Sequence, residues 1–141
     1  MIEFCTAYSN NGRVDIEDVN FSNISAQNTD RFIKAFATNG AFIKNITIEN
    51  IRSTSTTMNY VDCINGEIDN MTFRNIELNF FDKAMDLDYF NHKLRGVDLL
   101  SFKGANNLTL DNFKVNGSFY GVNERVTVEN CENFVQKDCQ F

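Results

Sequence analysis

The sequence predicts an all-β chain folded as a right-handed parallel β-helix of about five to six coils, with one inserted loop. Two observations carry this prediction: a repeated nine-residue segment and an apolar pattern with the period of a strand. Composition agrees with it, since the 141 residues include fourteen Phe but no Pro. Pro removes a hydrogen-bond donor from a strand, so its absence suits a chain built mostly of strands.

Five nine-residue segments align without gaps. They are IEDVNFSNI (16–24), IKNITIENI (43–51), IDNMTFRNI (68–76), ANNLTLDNF (105–113) and NERVTVENC (123–131). Their starts are 27, 25, 37 and 18 residues apart, which predicts one coil with an insertion and one short coil. An internal repeat in this length range is typical of a solenoid.

The repeat contains apolar positions at strand spacing, which we expect to point into a shared core. Two of these columns hold Val19, Ile46, Met71, Leu108 and Val126, and Phe21, Ile48, Phe73, Leu110 and Val128. A third holds Ile24, Ile51, Ile76, Phe113 and Cys131. The column expected to face outward, between the first two, holds Asn20, Thr47, Thr72, Thr109 and Thr127.

One position of the repeat is Asn in all five segments: Asn23, Asn50, Asn75, Asn112 and Asn130. Asn tolerates the left-handed backbone of a sharp turn. Coils stacked about 4.8 Å apart would also let each amide bond its neighbours above and below. The sequence therefore predicts a structural Asn ladder at one corner.

Further strands are expected between these segments. They cover FIKAF (32–36), YVDCI (60–64) and VDLLSF (97–102), with turns at Asn39-Gly40 and Asn65-Gly66. A leucine-rich repeat is the main alternative. In that motif the Asn follows the last apolar residue by three positions, whereas Asn50 follows Ile48 by two, and the connecting segments lack helical spacing.

The segment I-x-N-Φ-T-Φ-x-N-Φ, present as IKNITIENI and IDNMTFRNI, resembles coils of the pectin lyase-like superfamily of parallel β-helices. That superfamily includes polygalacturonases, pectate lyases and phage tailspikes. The resemblance covers residues 14–134 and concerns positions that build the coil. It implies a long lateral face of the kind that binds extended glycans.

Polygalacturonase-like hydrolases carry Asn-Thr-Asp, then Asp-Asp, Gly-His-Gly and Arg-Ile-Lys. This chain has Asn28-Thr29-Asp30 without the other motifs, and its single His is His92. Asp30 and Asp82 each lie six residues after a corner apolar residue, two coils apart. Such a pair would be about 10 Å apart, near the upper limit for an inverting carboxylate pair.

Residues 79–96 form the predicted insertion, which concentrates charged and aromatic side chains. We interpret it as a structural flap, a glycan-contacting loop or a catalytic loop, and its spacing also suits one amphipathic helix. The glycan-binding candidates are Tyr89, His92, Lys93 and Arg95, and the catalytic candidates are Asp30, Asp82, Asp86 and Asp88. No cofactor is expected. Only a lyase would need Ca²⁺, held by the three carboxylates of the loop, with Lys93 or Arg95 as base.

The net charge of −6 argues against a nucleic-acid partner, and no segment is apolar over the length of a bilayer. The four Cys lack metal-ligand spacing, so we expect no metal site and free thiols, with a Cys131–Cys139 disulfide as the alternative. We expect one β-helix domain over residues 1–141, as a piece of a longer chain or as a homo-oligomer. Met1 to Cys5 lacks the charged and apolar regions of a signal peptide, so we expect either an intracellular protein or a piece of a longer secreted or virion chain.

Three functional hypotheses remain. The first is a glycan-recognising or structural β-helix module of a surface, secreted or virion protein, without complete catalytic machinery, whose partner is a polysaccharide or cell-surface glycan. The second is a polysaccharide-degrading domain, either a glycoside hydrolase or a polysaccharide lyase. The third is a structural adhesin shaft.

Overall fold

The fold is described from a computed structural model of the chain. The structure describes residues 2–6, 13–29, 31–55, 59–80, 98–117 and 125–141. Every regular element within these ranges is a β-strand. This result agrees with the predicted all-β class and not with a leucine-rich repeat that carries helices.

Within the described ranges, ten strands form two five-stranded sheets. Sheet A contains β1 (Ile2–Cys5), β3 (Ile33–Ala37), β5 (Asn59–Cys63), β7 (Leu100–Lys103) and β9 (Val126–Glu129). Sheet B contains β2 (Ile16–Thr29), β4 (Phe42–Ser55), β6 (Glu67–Phe80), β8 (Ala105–Asn116) and β10 (Val135–Lys137). The chain alternates between the sheets, and each strand pairs in parallel with strands of its own sheet.

One strand of sheet A and the following strand of sheet B make one coil, so coil 1 is β1 with β2 and coil 5 is β9 with β10. Five strands in each sheet correspond to about four turns of the helix. The predicted parallel β-helix is therefore confirmed. The strands predicted over residues 32–36, 60–64 and 97–102 correspond to β3, β5 and β7.

The core fills the space between the two sheets, because the apolar positions of the repeat point into that space. Phe73 stacks edge-on against Phe102 of sheet A and against Phe113 of the next coil, with ring centroids 5.4 and 5.8 Å apart. The inward columns of coils 2–4 are at most 3% exposed. Thr47, Thr72 and Thr109 pair in one outward column, as predicted.

Left-handed residues bend the chain at fixed points of each coil. Asn45 and Asn50 have φ of 54° and 55°, and Asn70 and Asn75 both have 53°. These bends divide each 14-residue strand of sheet B into short straight segments, so the strand wraps around the core. Asn39 and Gly40 also have positive φ, and the Ala41 N–H donates to the Thr38 carbonyl at 3.1 Å. This geometry confirms the predicted turn at Asn39-Gly40.

A buried polar residue that sequence reasoning missed lies inside sheet A. Asn59 is 1% exposed and occupies an inward position between Ile33 and Leu100. Its Oδ1 accepts hydrogen bonds from the N–H groups of Phe32 (2.6 Å) and Ile33 (2.8 Å). Its Nδ2 donates to the Leu99 carbonyl at 3.3 Å. One side chain therefore connects the starts of β3, β5 and β7.

The register predicted for the fifth repeat segment, residues 123–131, is wrong. Val126 and Val128 lie in sheet A and pair with Leu100 and Phe102. The segment of sheet B in coil 5 is instead residues 131–139, because Val135 pairs with Thr109. The interval from Asn107 to its equivalent Asn133 is 26 residues, so the predicted short coil of 18 residues is an artefact of this misalignment.

The register correction also moves two predicted structural residues. Asn130 follows β9 and aligns with Gly104, so Asp138 and not Asn130 occupies the fifth corner after Asn112. Cys131 aligns with Ala105, and Cys139 takes the position next to Phe113. Both thiols still pack against the core, and all four Cys are free. Free thiols are therefore confirmed, although they are half-buried.

Candidate functional site

Residue 30 and residues 81–97 lie outside the described residues. These positions contain all the predicted catalytic and glycan-binding candidates, namely Asp30, Asp82, Asp86, Asp88, Tyr89, His92, Lys93 and Arg95. Of the predicted insertion 79–96, the described part is Asn79 and Phe80, which belong to β6. Those assignments therefore stay predictions, and the site described below lies on the coils themselves.

The predicted Asn ladder is present through four coils and is called here the corner ladder: Asn23, Asn50, Asn75 and Asn112. In each step the later Asn donates from Nδ2 to Oδ1 of the preceding one. The three donor–acceptor distances are 3.2, 2.9 and 3.0 Å. All four residues have φ between 51° and 59°, so one residue type supplies both the bend and the bond between coils.

A second ladder, missed in the sequence, lies five residues earlier in each coil and is called here the entry ladder. It contains Asp18, Asn45, Asn70, Asn107 and Asn133, all with positive φ. Asn45 donates to Asp18 at 2.9 Å, and Asn133 donates to Asn107 at 3.0 Å. The available signal was the Asn or Asp at the third position of the repeat.

The entry ladder changes partner at the longest coil. Asn70 donates to Asn45 at 2.8 Å, but Asn107 donates at 2.7 Å to Asp69, the residue before Asn70. The interval between Asn107 and Asp69 is 38 residues. The backbone register does not change at this step, since Asp69 pairs with Asn106 and Met71 with Leu108, so only the side-chain partner of Asn107 differs.

Two columns of charged residues flank the corner ladder. The first holds Glu49, Arg74, Asp111 and Lys137, and the second holds Arg52, Glu77 and Lys114. Charge alternates in sign along each column and between the two columns of one coil. The Arg52–Glu77 pair is the shortest, at 2.9 Å, and the pairs of the first column span 3.5–3.9 Å. Exposed pairs of this kind contribute about 0–1 kcal/mol each, so their main effect is to favour one register between coils.

A groove of about 400 Å³ lies between the corner ladder and the second charged column. Amides line one side of it, and Arg52, Glu77 and Lys114 line the other. It runs along the helix axis, because equivalent residues of coils 1–4 contribute in turn. Asn50 and Asn75 each use one N–H and one lone pair within the ladder, which leaves a second N–H and a second lone pair on each amide.

Glu77 lines the groove, and its surroundings shift its pKa. The side-chain amide of Asn79 donates to its carboxylate at 3.2 Å, and Arg52 Nε donates at 3.0 Å. These bonds, with the positive charges of Arg52 and Lys114 nearby, lower the pKa of Glu77 below its ordinary value. Glu77 is therefore ionised at neutral pH, and the groove presents alternating fixed charges.

Sheet A carries a different polar feature, the stacking of Arg31 on Tyr60. The guanidinium carbon lies 5.3 Å from the ring centroid. Arg31 Nε is buried and has no hydrogen-bond partner in the part of the chain that the structure describes. Sequence reasoning missed this cation–aromatic pair, because 29 positions separate the two residues and only coil stacking brings them together.

Within the described ranges, no group of three or more His, Cys, Asp or Glu side chains is placed to hold a metal ion. No helix in those ranges has the length and apolar character needed to cross a membrane. The residues that line the groove offer hydrogen bonds and fixed charges to a ligand.

Comparisons of the chain with protein-family models, curated proteins and solved structures gave no match. The geometry of the strands alone therefore supports the parallel β-helix. Membership of the pectin lyase-like superfamily stays a prediction.

Proposed function

We propose that this chain is a glycan-binding β-helix module of a surface, secreted or virion protein, and that the groove along the corner ladder is its binding site. The observation that carries the proposal is the repetition of the same polar groups along the groove. Spare amide donors and acceptors recur once per coil, about 4.8 Å apart. A polymer of hydroxyl-bearing units can use such a series of sites at once.

The alternating charges of the groove suit a ligand with many hydroxyl groups better than a ligand that carries charges of one sign. Arg52 and Lys114 can donate to hydroxyl or carboxylate oxygens, and ionised Glu77 can accept from hydroxyls. Alternating signs give no long-range attraction for a ligand of one charge. Affinity then depends on hydrogen bonds along the length of the polymer, so longer oligomers bind more tightly.

The test is binding to a panel of neutral and acidic polysaccharides, followed by calorimetry with oligomers of increasing length. We expect Arg52→Ala to weaken binding by about tenfold, the size of one lost charge-assisted hydrogen bond. Arg74→Ala is the matched control, since Arg74 is an exposed Arg of the same sheet that does not line the groove. Equal losses in both variants, or no binding across the panel, would count against the groove.

A structural shaft is the second candidate, and the ladders favour it specifically. Two Asn ladders and two charged columns join the coils along sheet B, which is what a stiff rod requires. Absence of glycan binding together with high thermal stability would favour the shaft over the binding module.

A polysaccharide-degrading activity stays the alternative from a different class, and its candidates Asp30, Asp82, Asp86 and Asp88 lie outside the described residues. The same panel is therefore followed for new reducing ends and for the ultraviolet absorbance of unsaturated products. Reducing ends alone would identify a hydrolase, and both signals would identify a lyase that depends on Lys93 or Arg95.

A further inference from the structure

The carboxylate of Glu77 is held on both of its oxygens by other side chains. Asn79 donates from Nδ2 to Oε1 at 3.2 Å. Arg52 donates from Nε to Oε2 at 3.0 Å, and a terminal nitrogen of its guanidinium lies 2.9 Å from the same oxygen. Contacts on both oxygens fix the plane of the carboxylate as well as its position. Glu77 therefore presents a fixed acceptor to the groove that it lines.

Asn79 is held in turn by the next coil. Asn79 and Asn116 are register partners in β6 and β8, and Asn116 donates from Nδ2 to Oδ1 of Asn79 at 3.0 Å. Because its oxygen accepts from Asn116, the amide of Asn79 directs its N–H groups to Glu77. These contacts form a series called here the Glu77 relay, which contains Asn116, Asn79, Glu77 and Arg52.

The equivalent positions of coil 2 carry different side chains. Arg52 stands there at the position of Glu77, and Thr54 stands at that of Asn79. Thr54 is engaged with the preceding coil, since its Oγ1 accepts from the N–H of Asn28 at 3.0 Å. The repeat therefore does not require the Glu77 relay, and coil stacking alone does not account for it.

From these contacts we propose that Asn79 is a positioning residue, which holds Glu77 so that the groove takes a neutral, hydroxyl-bearing sugar unit at coil 3. This inference rests on the proposed function, because it concerns the same groove. Asn79 is not among the residues that line the groove. It acts on a ligand through Glu77.

The free lone pairs of Glu77 define which ligand groups fit. Arg52 occupies Oε2 through two nitrogens and Asn79 occupies Oε1 through one, which leaves a lone pair on Oε1. A sugar hydroxyl can donate to that lone pair. Lys114, the register partner of Glu77 in β8, also lines the groove and can donate to a second hydroxyl. A carboxylate on the same unit would meet the fixed negative charge of Glu77, so an acidic unit is disfavoured at coil 3.

The ionisation of Glu77 makes the binding of this unit depend on pH. The bond from Asn79 is the main cause of the lowered pKa of Glu77, followed by Arg52, whose charge acts together with that of Lys114. Arg52 of β4 and Lys114 of β8 are the charged groups that face Glu77 from the neighbouring strands. Protonation removes the charge-assisted acceptor. Binding of a neutral sugar should therefore weaken as the pH falls through the pKa of Glu77, and at a higher pH when Asn79 is absent.

Two measurements test the proposal, and only the second needs a ligand. The first is a carbon-13 NMR titration of the Glu77 carboxyl in wild type, Asn79→Ala and Asn106→Ala. Asn106 of β8 is the matched control, since it aligns with Asp69 and not with the Glu77 relay. The pKa of Glu77 is expected to rise in Asn79→Ala and to keep its wild-type value in Asn106→Ala. An unchanged pKa in folded Asn79→Ala would overturn the positioning role.

The second measurement is calorimetry with neutral and acidic oligosaccharides of equal length. Wild type is expected to prefer the neutral series and to lose affinity for it in acid, whereas Asn79→Ala should lose that affinity at a higher pH. Glu77→Gln should abolish this pH dependence and reduce the preference for the neutral series by about tenfold, the size of one charged contact. Thermal unfolding verifies that each variant is folded, and Glu77→Gln keeps the test available if Asn79→Ala does not fold.

The outcomes separate this proposal from the proposed function. A wild type that prefers the acidic series, or a pH dependence that Glu77→Gln or folded Asn79→Ala leaves unchanged, would overturn the proposal and leave glycan binding by the groove in place. Failure of both series to bind would overturn the groove as a glycan site, and the selectivity with it. The NMR titration contains no ligand, so it decides the positioning role of Asn79 independently.

Discussion

The inner coils and the terminal coils are built from one repeat but differ in how deeply its apolar residues are buried and how fully its strands are paired. In coil 3, Met71, Phe73 and Ile76 are at most 1% exposed, whereas the equivalent Val19, Phe21 and Ile24 of coil 1 are only partly buried. Strand β6 is paired on both sides along its length. Strand β10 pairs over three residues on one side, and all three are exposed.

This difference shows that burial in a solenoid comes from the neighbours of a residue and much less from its own identity. Each coil can cover only the coils above and below it. A residue type that repeats along a column therefore contributes a different free energy in each coil. Identical substitutions at equivalent positions measure this difference directly.

The largest contrast is expected in the aromatic column of sheet B. Phe73→Ala should lower the free energy of unfolding by about 3–5 kcal/mol, because Phe73 is fully buried and the truncation leaves a cavity. Phe21→Ala should cost less than about 2 kcal/mol, since solvent already reaches that ring. Urea unfolding of the two variants measures both values. Equal losses would mean that coil 1 is covered as well as coil 3.

A smaller contrast is expected in the corner ladder. Asn75→Gly removes two bonds between coils, to Asn50 and from Asn112, whereas Asn23→Gly removes one bond between coils, from Asn50, and a longer local bond of 3.4 Å to Ser22. Gly keeps the positive φ of both positions, so the backbone bend is preserved. At about 0.5–1.5 kcal/mol per bond, Asn75→Gly should be the more destabilising by about one bond. Thermal unfolding of the matched pair measures the difference, and a reversed order would show that the ladder does not act by pairwise bonds.

The smallest effect concerns the ionisation of Glu77 in an inner coil. Its pKa is lowered in the folded state, so its stabilising contribution is present above the unfolded pKa of about 4.3 and is lost as the pH falls through the folded value. Because the Arg52–Glu77 pair is exposed, it contributes no more than about 1 kcal/mol. Unfolding of wild type and Glu77→Gln should therefore differ at neutral pH and converge in acid. A difference independent of pH would exclude ionisation as its cause.

Much of the fold could be predicted because local and repeated features agree. The alternation of Ile46 and Ile48 specifies one buried face, and Asn50 at the following bend specifies where the strand turns. Two apolar residues followed by an Asn recur at the same spacing in coils 1–4. A coil built in this way carries its own turn and core, so the sequence of each coil was sufficient to predict them.

The predicted and observed registers differ in the last coil because local similarity and spatial position disagree there. Residues 123–131 resemble the repeat in their letters, yet Val126 and Val128 pair in sheet A. Residues 131–139 have a weaker pattern and form the sheet B segment. The interval of 26 residues from Asn107 to Asn133, close to that of the earlier coils, was the better guide. Spacing along a solenoid is a geometric requirement, whereas residue types near an end are less constrained by packing.

The sequence by itself determined the class of fold, the inward columns of the first four coils and the corner ladder, because each depends on residues a few positions apart. Only the tertiary structure decided the groove, the Arg31–Tyr60 pair and the buried role of Asn59. These features join residues from different coils, at separations of 25 residues or more. Which side chains meet across that distance depends on the number of residues in each turn, and a change of one residue moves every later side chain to another face.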